Sequence, residues 1–287
     1  MPIKVFSKYR AFVYLAIIIG VGSWSNILYP WMSKVMSFFS PIQAYIMLNS
    51  FWVAAVVGIS FLTYKRICSC KEINITWFMV PMLYMSVQLI GNALLERAII
   101  LNLGWIWLLL GMNTLLFIVG FLWFHCLSVL VVVRIAQQSL TFAEINTFFV
   151  FVLGTVGVTV CTIFDLAKNL LLMGLLDSIQ PLKLLACFFW GFGIWTVVFI
   201  LILWCYQSWT KKMPIRVEWG IYIFSFQMYT IASHKIAEEF LSPLTSGVLS
   251  LLTLLLTVFW LCFWKNRIEA LIQSTNYFEI KQKRSRV

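Results

Sequence analysis

The sequence predicts an all-α polytopic membrane protein, with about eight transmembrane helices paired into hairpins and both termini cytoplasmic. Three observations predict it. Of 287 residues, 62% are hydrophobic and only 11% charged, whereas a soluble domain carries about 25% charged residues. Apolar runs near the ~20 residues that cross a ~30 Å hydrocarbon core as helix recur at 11–32, 41–63, 76–95, 100–123, 146–164, 183–206, 219–235 and 243–264. The cations fall between these runs and alternate by side. Lys4, Lys8, Arg10, Lys65, Arg66, Lys71, Arg134, Lys211, Lys212, Arg216 and the tail share one face, and only Lys34, Arg97, Lys168, Lys183 and Lys235 take the other. The positive-inside rule makes the richer face cytoplasmic, and an even number of spans agrees.

Each element has its own justification. The first run follows Lys4, Lys8 and Arg10 as a signal peptide would, but it exceeds a typical h-region and lacks a small-x-small cleavage pattern, so it is a retained helix. It carries IIIGVGSWSN, with Gly20, Gly22 and Ser23 near mid-membrane. The second run is an apolar prop. The third contains MVPMLYMSVQLIGN and places Pro81 inside a helix, where proline removes a backbone hydrogen bond. The fourth stays apolar to Arg134, longer than one bilayer requires, so it tilts or projects into the cytoplasm. The fifth reads VLGTVGVTV and carries Gly154, Thr155 and Gly157; the amphipathic DLAKNLLLMGLL at 165–176 is too short to span and reads as an interfacial turn. The sixth and eighth, with VFILILW and LLTLLLTVFWLCFW, are props, and the seventh reads FSFQMYTIAS. Residues 265–287 form a basic cytoplasmic tail that anchors topology and can touch anionic headgroups.

Odd runs thus hold the glycine, proline and hydroxyl residues, and even runs are greasy. Freed or loosened backbone in hydrocarbon must be satisfied by protein or water, so Gly20, Pro81 and Gly157 mark helices that bend around something, or helices that pack closely through small residues. In the seventh run, Phe226, Thr230 and Ser233 share one face at spacings of i, i+4 and i+7. A ring backed by hydroxyls reads as a gated constriction or as ordinary packing.

The single transmembrane domain, 1–287, leaves no room for a soluble catalytic or nucleic-acid-binding domain, and the net charge of +11 belongs to topology rather than to a nucleic-acid partner. HExxH, GxSxG and mid-helix acid pairs do not occur in the sequence, so no enzyme, cofactor or metal reading emerges. His125 and His234 fall at opposite helix ends and read as interfacial polar residues. The seven cysteines lack CxxC spacing, and Cys68 and Cys70 lie in a loop placed in the reducing cytoplasm.

The stretch RVEWGIYIFSFQMYTIASHKIAEEF followed by LSPLTSGVLSLLTLLLTVFWLCFW resembles the last two spans of the tellurite-resistance/dicarboxylate transporter family. That family includes bacterial TehA-type proteins, yeast malate and sulfite permeases and plant slow anion channels. Trp219, Phe224, Ser225, Phe226, Ala232, Ser233, Glu238 and Glu239 stand at the counterparts of its motif positions. YLAIIIGVGSWSNILYPW, LGWIWLLLGMNTLLF, AEINTFFVFVLGTVGV and ACFFWGFGIWTVVFILILW are similar to its first, fourth, fifth and sixth spans. The resemblance implies a ring of hairpins around a central pore, occluded by the phenylalanine at Phe226. Two departures stand out: Gln227 replaces the usual proline, and WCYQSWTKKMP passes almost directly into the ninth-like helix, as though one hairpin of five were absent. The ring would then be narrower, open at one side, or completed by another subunit.

The function these readings imply is a transporter or channel for small anions, either C4-dicarboxylate, sulfite or tellurite, or chloride-like, in the plasma (inner) membrane. Phe226 is the pore gate, and Gly22, Ser23, Gly154, Thr155, Thr230 and Ser233 are the pore-lining candidates behind a weakly positive outer or inner mouth. The partners are the anion, the lipid bilayer and a homo-oligomer. The rival reading is a non-transporting membrane subunit derived from the same fold.

Overall fold

A helix that faces lipid must be apolar all round, whereas one enclosed by protein can carry polar groups that its neighbours satisfy. The computed structural model describes residues 41–68, 75–137, 140–209, 219–240, 242–258 and 261. Seven α-helices lie among them: α1 Pro41–Cys68, α2 Met79–Ile100, α3 Ile106–Ala136, α4 Phe142–Leu172, α5 Gln180–Trp209, α6 Trp219–Glu239 and α7 Pro243–Val258. A 3-10 turn, Ile75–Phe78, leads into α2, and no strand occurs among the described residues. The first run, 11–32, with Gly20, Gly22 and Ser23, lies outside the described residues, as does the tail 265–287.

Four segments are long and apolar enough to cross a membrane: Tyr45–Lys65, Ile106–Ala136, Glu144–Leu172 and Gln180–Tyr206. Their burial separates two layers. The first, second and fourth bury 24%, 28% and 33% of their apolar windows, while the α4 segment buries 83%. α2 buries sixteen of its 22 residues, and α6 buries every residue from Ile223 to Tyr229. The inner helices α2, α4 and α6 are therefore the third, fifth and seventh runs, and α1, α3 and α5 form the outer face. α2 and α6 fall outside the four because Ser86, Gln88 and Asn92, or Ser225, Gln227 and Ser233, dilute their apolar character, which protein neighbours tolerate and lipid would not.

α4 is the hub. It packs against α2, α6 and its hairpin partner α5, while α2 packs against α1 and its own partner α3. Phe78 fastens one end of this core, its ring 5.2 Å from Phe124 of α3 and 5.4 and 5.8 Å from Phe148 and Phe151 of α4. Edge-on and offset aromatic pairs of this kind add ~0.5–1.5 kcal/mol each beyond their buried area.

Local chemistry sets the helix limits. α4 starts on a capping box: Glu144 N–H donates to Thr141 Oγ1 at 3.3 Å, and Thr141 N–H donates to Glu144 Oε2 at 2.9 Å. It ends at Gly174, whose φ of 69° suits a residue without Cβ; Gly174 N–H donates to Leu171 O at 3.0 Å and Leu175 N–H to Leu170 O at 2.9 Å. The segment 165–176 is thus not an interfacial turn. Its first eight residues are the last two turns of α4, and reversal waits for the glycine. Pro81 is likewise no mid-helix kink. It occupies the third position of α2, within the first turn, where the lost N–H has no intrahelical partner to give up. α3, at 31 residues, is about 46 Å long at 1.5 Å per residue, which accounts for its reach to Arg134.

Candidate functional site

The three inner helices converge at Gly154. A Cβ placed there would lie 2.4 Å from Met82 Cε of α2 and 2.6 Å from Ser225 Oγ of α6, so glycine is what lets the two side chains meet over α4. Ser225 Oγ and Thr155 Oγ1 are buried and without a hydrogen-bond partner. A buried hydroxyl without a partner is costly in a dry site. Phe226, beside Ser225, has no exposed surface at all, and its carbonyl accepts from Thr230 Oγ1 at 2.7 Å. Of the sequence-predicted residues, Gly154, Thr155 and Phe226 therefore come to one region, with Thr230 one turn beyond. α6 runs unbroken from Trp219 to Glu239 through Gln227, the residue that replaces the expected proline.

A polar stripe continues from this point along α4. Thr155, Thr159, Thr162 and Asn169 recur at helical spacing and are all buried. Thr162 Oγ1 donates to Gln88 Oε1 of α2 at 2.7 Å, and Asn169 Nδ2 donates to the Asn92 carbonyl at 3.0 Å. Both amide atoms of Asn92 and Oδ1 of Asn169 remain unpartnered. Gln88, Asn92, Thr159, Thr162 and Asn169 were not among the predicted lining residues. Their signal was in the sequence as amides and hydroxyls at i, i+4 and i+7 inside apolar runs, the same pattern that singled out α6.

Two predicted residues have structural work instead. Ser233 faces α5: its hydroxyl accepts from Trp190 Nε1 at 2.8 Å and donates to the Tyr229 carbonyl at 2.8 Å. Tyr229 Oη donates in turn to the Trp190 carbonyl at 2.5 Å, closing a circuit that clamps α6 to α5. A hydroxyl committed at both its proton and its oxygen has little left for an ion, so the seventh run's face of Phe226, Thr230 and Ser233 is split between two environments. Gly157 lies under the α6 backbone, its absent Cβ only 2.6 Å from Tyr229 N and 2.7 Å from the Met228 carbonyl carbon. What it provides is close helix packing.

The helix ends beyond the stripe are laced by ion pairs. Lys168 of α4 meets Glu96 of α2 at 2.7 Å, Lys235 of α6 pairs with Asp165 of α4, Lys183 of α5 pairs with Glu239 of α6, and His234 lies 3.3 Å from Glu238. The described residues at this end hold Arg97, Lys168, Lys183 and Lys235 against Glu96, Asp165, Asp177, Glu238 and Glu239. Among the described residues this end is balanced rather than positive, because each of the three lysines bonds a carboxylate; the cations of the other end lie mostly outside the described residues. Among the described residues no group of three metal-ligating side chains converges, and Cys126, Cys161, Cys187 and Cys205 are free thiols.

Two uncharacterized transporters of Methanocaldococcus jannaschii are similar to the chain. One is 22% identical over 220 residues, covering 74% of this chain and 62% of its own length; the other is 23% identical over 219 residues, covering 73% and 61%. The chain spans about three fifths of the length of these curated relatives. No solved structure matches it. A family model described as voltage-dependent anion channel matches residues 6–264, nearly the whole sequence, including every inner helix that carries the buried polar stripe. The chain is a multi-pass integral membrane protein and belongs to the voltage-dependent anion channel family.

Proposed function

We propose that the chain forms a transmembrane pathway for small anions along its inner helices, closed at Phe226. The observation that carries this reading is the set of uncharged hydrogen-bonding groups buried on α2, α4 and α6 beside a phenylalanine with no exposed surface. Hydroxyl and amide donors replace part of an anion's hydration, and an apolar ring at a dewetted neck blocks passage until it moves. Gly154 and Thr155 stand at the neck and Thr230 one turn from it. The stretch of the stripe from Thr155 to Thr162 carries no charged side chain, which favours channel or uniport behaviour over strict proton symport. C4-dicarboxylates, sulfite or tellurite, and chloride-like ions are the candidate substrates, and the plasma (inner) membrane is the proposed site of action.

The test is flux into liposomes holding the purified protein, wild type against Phe226→Ala, with chloride, nitrate, sulfite and malate. Removing the ring is expected to raise flux and to rank the ions. A folded Phe226→Ala protein with unchanged flux would remove the gate assignment. The near-direct passage from WCYQSWTKKMP into the next helix, as though one hairpin were absent, favours a second reading, a membrane subunit of this fold that does not transport. It predicts silence from both proteins for all four anions, with a partner co-purifying.

A further inference from the structure

The ion pair between Lys235 and Asp165 differs from its two lysine–carboxylate neighbours in that both partners are withdrawn from water. Their side chains are 20% and 21% exposed, against 58% and 34% for Lys168 and Glu96 and 11% and 38% for Lys183 and Glu239. The pair joins two inner helices, α4 and α6. Asp165 follows Thr162 by three residues and so continues the stripe that Gln88 and Thr162 occupy. Lys235 lies nine residues beyond Phe226 on α6, about 13 Å along the helix axis. Glu238 adds a second negative field at the ammonium, and Cys161 lies one turn below Asp165. A cation of an inner helix is thus held beside the stripe and covered by a carboxylate.

An ammonium four-fifths withdrawn from water needs a counter-charge, and leaving it bare is strongly destabilising. Asp165 meets that need, but any small anion could meet it equally well. The chemistry of the contact is the same for an aspartate carboxylate, a free carboxylate, an oxyanion or a halide. What distinguishes Asp165 is its tether, which gives it a high effective concentration against a free competitor. We propose that Lys235 is an anion-binding residue at the mouth of the pathway and that Asp165 is its tethered competitor, which an arriving small anion displaces. The pair would then set the anion concentration at which the site fills. Its bearing on flux rests on the pathway reading above, while the binding itself can be measured independently.

The experiment is thermal unfolding of the full-length protein in detergent, titrated with sodium chloride or sodium malate against sodium gluconate at constant ionic strength. Asp165→Asn should show a saturable rise in Tm, with a half-saturating chloride concentration about tenfold or more below that of wild type. Asp165→Asn/Lys235→Gln, which removes both charges, should show no saturable rise. Coincident curves for the single and double variants would overturn the proposal. If Asp165→Asn does not fold, Asp165→Glu keeps the charge and misplaces the tethered carboxylate; an unchanged midpoint there would overturn the proposal too. Flux separates the two ideas. Anion-dependent stabilisation of Asp165→Asn with no flux from any variant leaves the site standing and sinks the pathway. Flux through Phe226→Ala with no chloride response in Asp165→Asn does the reverse.

Discussion

Gly157→Ala tests whether the inner helices are held by backbone contact. The added Cβ would meet Tyr229 N at 2.6 Å, the Met228 carbonyl carbon at 2.7 Å and Met228 O at 2.9 Å, all backbone atoms that no rotamer change can move. Non-bonded carbon contacts are optimal near 3.5–4.0 Å, so α6 must retreat by roughly 1 Å. That retreat opens the α4–α6 interface and strains the clamp through Tyr229, whose ring is itself wedged against Gly193 of α5. Overpacking of this kind costs about 1–3 kcal/mol, partly offset by alanine's advantage over glycine in a helix, about 1 kcal/mol. Gly111→Ala in α3 is the control, because nothing lies within 4 Å of its added Cβ. The propensity gain is shared, so the difference between the variants isolates packing. Unfolding of the purified proteins in detergent should find Gly157→Ala less stable than Gly111→Ala by about 1–3 kcal/mol. Equal stabilities would refute the close approach of α4 and α6.

Two further predictions concern the polar contacts between helices. Tyr229→Phe removes the donor to the Trp190 carbonyl and should cost about 0.5–1.5 kcal/mol in the same unfolding assay, the net worth of one hydrogen bond, because that carbonyl keeps its partner within α5; a change below the assay's error would mean the circuit does not clamp α6. Thr162→Val keeps the side chain's shape but strips Gln88 Oε1 of its donor. It should destabilise by ~1–3 kcal/mol, and adding Gln88→Leu should recover most of that loss because both polar partners are then gone. An additive double variant would show that the two side chains do not interact.

The division into inner and outer helices is legible in the amino-acid sequence. Lipid demands an apolar exterior, so α1, α3 and α5 announce themselves by composition, and the glycine, hydroxyl and amide residues had to lie on helices enclosed by protein. The extent of α4 is less legible. DLAKNLLLMGLL looks like a separate amphipathic piece because its polar residues are spaced for ion pairs and a hydrogen bond to α2 and α6, from Lys168 to Glu96, Asp165 to Lys235 and Asn169 to Asn92. Their partners stand about 70 or more positions away in the chain, beyond the reach of any local pattern.

The sequence by itself determined the membrane-spanning class, the alternation of enclosed and lipid-facing helices, and the family, since each follows from composition or from motifs within one helix. Only the tertiary structure decided what each polar side chain faces. Ser233 and Thr230 share a helix face in sequence, yet Ser233 is spent on Trp190 while Thr230 bonds back to the Phe226 carbonyl one turn below. The outer-end carboxylates Glu96, Asp165 and Glu239 likewise cover the lysines that topology alone would leave as a positive mouth. The physical reason is rotational register. How one helix turns against the next depends on where backbones can touch, at Gly154 and Gly157, and a few degrees about that contact decide whether a hydroxyl meets a neighbour or is left for an ion.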